Sequence, residues 1–108
     1  MRVLTIRQHD RFALRKTVSL AGDAGGKCRG LLIELSLGGC RISNLGARQF
    51  EHGETVKVTV AGYGSLTGQV RWTNPGMVGL RLVPQLRMGD MNRLLGICRH
   101  PLFDRDVA

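Results

Sequence analysis

Apolar and polar residues alternate along most of the chain, and glycine-rich breaks divide the alternation into short runs. Period two places successive side chains on opposite faces of a strand. Phe12 to Leu20 sets Phe12, Leu14, Val18 and Leu20 on one parity, interrupted by Lys16. Gly30 to Ser36 sets Leu31, Ile33 and Leu35 against Leu32, Glu34 and Ser36, and Gly39 to Asn44 turns Cys40 and Ile42 inward. The Gly38-Gly39 pair between these two runs reads as a tight hairpin turn requiring positive φ. Thr55 to Val60 buries Val56, Val58 and Val60, and Ser65 to Thr73 directs Leu66, Val70 and Trp72 inward. Asn74-Pro75-Gly76 suits a type II turn, and Met77 to Val83 follows with Val78, Leu80 and Leu82 inward.

Six short strands joined by glycine turns predict a small antiparallel barrel or sandwich. The period then changes: Leu86, Met91, Leu94, Leu95 and Cys98 recur at three and four residues between Pro84 and Pro101, which predicts one C-terminal helix. Gly89 and Gly96 each weaken that helix by roughly 1 kcal/mol relative to alanine, so it requires a partner surface, expected to be the barrel.

At 108 residues the chain is expected to form one domain, since autonomous folds run to about 100–150 residues. No apolar run approaches the roughly 20 residues of a membrane helix. Met1 to Asp10 is charged where a signal peptide is apolar, and a cytoplasmic location is the expectation. Cys28, Cys40 and Cys98 match no zinc spacing, so neither metal nor disulfide is expected. Cys40 and Cys98 read as small buried hydrophobes, and Cys28 falls in a loop. His9, His52 and His100 lie in polar segments, and no paired carboxylates or P-loop appear, so no enzyme activity is expected.

Sixteen Lys and Arg against eight Asp and Glu give a net charge of +8, which favours an anionic partner. Two constellations carry candidate chemistry. In Arg7-Gln8-His9-Asp10-Arg11, two guanidinium groups four residues apart can converge on phosphate oxygens or on a guanine edge, or can form a solvated basic arm. In Glu34-Leu35-Ser36-Leu37-Gly38-Gly39, a carboxylate and a hydroxyl share one face beside a glycine turn. That arrangement suits a guanine's N1 and N2 hydrogens, and equally an ordinary hairpin with a polar outer face.

Taken together, the two constellations resemble the motifs of the PilZ domain family of bacterial cyclic di-GMP receptors. The family's Arg-x-x-x-Arg is matched by Arg7 and Arg11, with Phe12 following. Its Asp/Asn-x-Ser-x-x-Gly is matched at Ser36 and Gly39, with Glu34 at the acidic position. Gly68 to Trp72 and Val78 to Leu82 are similar to the family's closing strands, so the resemblance covers roughly residues 6 to 98. It implies an all-β, six-stranded antiparallel barrel over 12–83 with a C-terminal helix over about 85–99, and an N-terminal segment, 1–11, that clamps the ligand. Ligand contacts are then expected from Arg7, Arg11, Glu34, Ser36 and Gly39. The implied ligand is cyclic di-GMP with no cofactor, and the implied role is a small regulatory adaptor for motility, adhesion or exopolysaccharide output through an unidentified effector protein.

Glutamate at position 34 is one methylene longer than aspartate and carries the carboxylate outward by on the order of 1 Å. A misplaced bidentate base contact costs about 1–3 kcal/mol. That departure supports the alternative of a PilZ-like protein-interaction module that binds no nucleotide. A basic RNA- or single-stranded-DNA-binding barrel fits less well, because five aromatic residues offer no evident stacking platform. Residues 1–20 carry five bases against Asp10, half of the net charge; Arg41, Arg71 and Arg81 are expected to be solvated surface.

Overall fold

The computed structural model describes residues 10–23 and 25–99. Six strands, β1 (Phe12–Gly22), β2 (Lys27–Leu35), β3 (Gly39–Ser43), β4 (Thr55–Val60), β5 (Gly64–Asn74) and β6 (Met77–Leu82), precede one helix, α1 (Met88–Arg99). The sheet is a closed antiparallel barrel in the order β1-β2-β3-β6-β5-β4. Arg7, His9, His100 and Phe103 lie outside the described residues.

Alternation accounts for the barrel interior. Val56, Val58 and Val60 of β4 are buried, as are Val78, Leu80 and Leu82 of β6 and Cys40 and Ile42 of β3. Gly30 faces this interior, where a Cβ would stand 2.6 Å from Ile42 Cγ2, so its missing side chain makes room for the isoleucine. Lys16 follows the parity of β1 instead of breaking it and is completely enclosed. Phe12, at the mouth of that strand, is only half-buried. Cys28 belongs to β2 rather than to a loop. Partial burial pushes its thiol pKa up, and the nearby Arg48 guanidinium opposes that rise.

Three β-bulges interrupt the ladders, and those in β2 and β5 break the alternation. Pairing registers shift between Ala13 and Lys16 in β1, between Leu32 and Glu34 in β2, and between Val70 and Trp72 in β5. In β2 and β5 the inserted residue reverses the faces beyond it, whereas β1 keeps one buried parity from Leu14 through Leu20. In β2 the buried positions therefore run Gly30, Leu32 and then Leu35, while Leu31 and Ile33, expected inward, are half-buried. In β5 Val70 is buried but Trp72, expected inward by the same parity, is 37% exposed.

The Gly76 turn has φ +75°, as a type II turn requires, whereas neither Gly38 nor Gly39 has positive φ. Gly39 is needed for a different reason. A Cβ there would lie 2.8 Å from the Leu80 carbonyl oxygen, so the close approach of β3 and β6 excludes a side chain.

The helix begins at Met88 rather than at 85 and buries Met91, Leu94 and Cys98 at spacings of three and four. Asp90 in its first turn and Arg99 in its last complement the helix dipole. Its docking is directional. The Arg99 Nη2 donates to the Ala13 carbonyl at 3.0 Å with its guanidinium 5.9 Å from the Phe12 ring centroid, and Arg93 lies 4.4 Å from the Tyr63 ring. The β1–β4 ladder that closes the barrel engages only Ser19 to Gly22 of β1.

Candidate functional site

The principal groove is open and encloses about 670 Å³, within the roughly 300–1,000 Å³ of small-molecule sites. Arg11, Glu34, Ser36 and Gly39 all line it, although the two constellations are more than twenty residues apart in sequence. Arg7 cannot be placed, being outside the described residues.

The turn at its base is built by its own side chain. Ser36 Oγ accepts from the Gly39 N–H at 3.1 Å and donates to the Gly39 carbonyl at 3.2 Å, and the Ser36 N–H donates to that carbonyl at 2.8 Å. The turn is then fastened to the end of β6, where the Leu82 N–H donates to the Gly38 carbonyl (2.9 Å), and to the segment after it, where the Leu86 N–H donates to the Leu37 carbonyl (2.7 Å). Serine at this position therefore shapes the backbone that a ligand approaches, a local bonding pattern characteristic of serine in turns.

Beside the turn, one row of paired positions crosses four strands. Glu34 on β2 pairs with Arg41 on β3, Arg41 with Gly79 on β6, and Gly79 with Trp72 on β5. The bulges in β2 and β5 turn Glu34 and Trp72 out to this face; uninterrupted alternation from Leu32 and Val70 would have sent both into the core. Arg41 Nε lies 3.3 Å from Glu34 Oε1, and its guanidinium stands 5.5 Å from the Trp72 ring centroid. Gly79 has no side chain to separate them.

Arg41, Arg71 and Arg81, expected to be solvated surface, line the groove together with Arg11 and Trp72. Arg81 Nη2 donates to Gln69 Oε1 at 3.1 Å, which orients one of the guanidinium groups. Among the described residues, four guanidinium groups line the groove against one carboxylate, Glu34, and make it strongly cationic. Arg41, Arg71 and Arg81 were visible in the sequence as outward bases, but only the barrel order brings β3, β5 and β6 side by side.

Among the described residues no three His, Cys, Asp or Glu side chains cluster as metal ligands. None of their helices is long and apolar enough to cross a membrane.

The PilZ domain profile matches residues 5–100. Among solved structures, the barrel is similar to the PilZ domain of CeSA from a cellulose-synthesizing bacterium. The TM-score is 0.62 at 14% identity, with 82% of this chain and 94% of that one covered. No curated protein matches by sequence. PilZ domains are in general receptor or adaptor domains for cyclic di-GMP, and both the match over nearly the whole chain and the barrel with its C-terminal helix place this protein in the PilZ domain family.

Proposed function

We propose that the protein binds cyclic di-GMP in the groove of Arg11, Glu34 and Gly39 and acts as a small regulatory adaptor. The observation that carries this reading is the convergence of both motif segments on one cationic groove that also presents an exposed tryptophan. The chemistry suits a compact dianion with two purine bases. Guanidinium groups pair with phosphate oxygens or lie on base faces, the Glu34 carboxylate accepts from a guanine's N1 and N2 hydrogens, and the Trp72 indole offers an apolar plane. Gly39 lets the ligand approach the backbone. Arg7, four residues before Arg11 in the sequence, completes the ligand-binding set, and the occupied groove is the signal an effector protein reads. Binding and regulation, with no chemical transformation, is the role this groove suits.

Calorimetry with cyclic di-GMP tests the reading. Saturable heat and a raised melting temperature are expected at about 100 μM ligand, and neither would appear if the reading were wrong. A second reading, an interaction module without nucleotide, is favoured by one observation: one oxygen of the Glu34 carboxylate is engaged by Arg41. A nucleic-acid barrel receives less support, since Phe50 is buried and Tyr63 is half-buried against Arg93, leaving Trp72 without a row of stacking partners among the described residues.

A further inference from the structure

Glu34 has one more rotatable bond than the aspartate usual in its motif, and an untethered glutamate would spread its carboxylate over several orientations. In this barrel it is tethered. Its partner across the β2–β3 ladder is Arg41, whose Nε lies 3.3 Å from Glu34 Oε1 as an ion pair. Arg41 is held in turn by the Trp72 ring at 5.5 Å, and that contact exists because the residue between them in the cross-strand row is Gly79.

We propose that Arg41 is the positioning residue of the site: braced on Trp72, it fixes the longer Glu34 side chain so that its carboxylate recognises a base as the shorter acid does elsewhere. The proposal rests on the cyclic di-GMP reading and deepens it. The chemistry is consistent, because a carboxylate offers about four lone-pair positions. An ion pair at Oε1 leaves Oε2 and the remaining lone-pair positions for a guanine's two donors. Arg41 acts through Glu34 and makes no contact with the base in this arrangement. The pair is partly exposed, 39% and 27% at the two side chains, so its effect is modest and screened by salt.

The test is a double-mutant cycle on the full chain, with cyclic di-GMP titrated into the parent, Arg41→Ala, Glu34→Asp and the double variant, and melting temperatures taken as a folding control. Arg41→Ala is expected to weaken binding by about two- to fivefold beside Glu34, and to leave affinity within about twofold beside aspartate, which needs no tether. A second readout needs no ligand. Trp72 is the chain's one tryptophan, so its fluorescence reports the Arg41 brace directly. Glu34→Gln should shift that emission in the parent and leave it unmoved in Arg41→Ala.

Equal losses of affinity in both backgrounds, or an emission indifferent to Glu34→Gln, would overturn the positioning role while leaving the receptor reading intact. A parent that takes up no cyclic di-GMP overturns the receptor reading and, with it, base recognition by the Glu34–Arg41 unit, even where the emission changes show that the tether exists.

Discussion

Trp72 and Gly79 are partners across the β5–β6 ladder, and the indole covers the glycine so closely that a Cβ there would overlap the ring at Cε2, Nε1 and Cζ2. The indole is a fixed wall of the groove because its neighbour has no side chain. Gly79→Ala should push the ring off the sheet, costing about 1–3 kcal/mol in denaturant unfolding through overpacking. It should also alter Trp72 emission and weaken cyclic di-GMP binding. Unchanged emission would mean that the ring is not seated on Gly79.

Arg11 is exposed at the head of β1 and lines the groove, so its side chain contributes little to packing. Arg11→Ala is expected to abolish detectable cyclic di-GMP binding while the unfolding free energy stays within about 0.5 kcal/mol of the parent. Glu34→Asp, by contrast, should bind as tightly as the parent or more tightly. A marked loss for that variant in calorimetry would show that Glu34 serves another purpose than base recognition.

Arg99 ties the last turn of α1 to the Ala13 carbonyl and the Phe12 ring, immediately after Arg11. Removing an exposed charge-assisted hydrogen bond costs about 1 kcal/mol. Arg99→Ala should therefore speed amide hydrogen exchange in the last turn of the helix more than in β4 or β6. Uniform exchange across the molecule would argue against a local tie.

The Cys40 thiol is buried in the barrel, and desolvation pushes its pKa from 9.0 up to about 12. The folded state therefore keeps a proton that the unfolded chain loses above pH 9. The stabilising contribution is complete below that value and declines by up to about 1.4 kcal/mol per pH unit as pH rises toward 12. Urea unfolding at several alkaline pH values should show a steeper decline for the parent than for Cys40→Ala. Parallel declines would show that other groups account for the pH dependence.

Much of the fold was legible because β4 alternates without interruption, because every second residue of β6 (Val78, Leu80 and Leu82) is apolar and buried, and because the change to three- and four-residue spacing at Met91, Leu94 and Cys98 marks the helix. The bulges were not legible. A period-two reading assigns Trp72 to the core because it shares parity with Val70, and it assigns Leu31 and Ile33 inward because they share parity with Leu35. One inserted residue in each strand reverses both assignments. The motif residues Arg11, Glu34, Ser36 and Gly39 were readable as short patterns and do meet in one groove. Arg41, Arg71 and Arg81 were readable only as outward positions: the turn at Pro75 and Gly76 sets β5 beside β6, but nothing local says that β3 lies on the other side of β6. Close approach rather than a turn explains Gly39, and that depends on Leu80, forty-one residues away.

The short ladder between β1 and β4 has a consequence for association with other chains. Among the described residues, the pairing covers only Ser19 to Gly22, so on that side the first half of β1 has no neighbouring strand. Such an edge is a template for intermolecular strand addition unless something blunts it. Here Arg99 occupies the Ala13 carbonyl, and an enclosed lysine, Lys16, lies in the same half-strand. The C-terminal helix thus serves as a guard against edge-to-edge aggregation as well as a packing element, and a chain shortened before Met88 would be recovered as insoluble oligomers rather than as a weaker monomer.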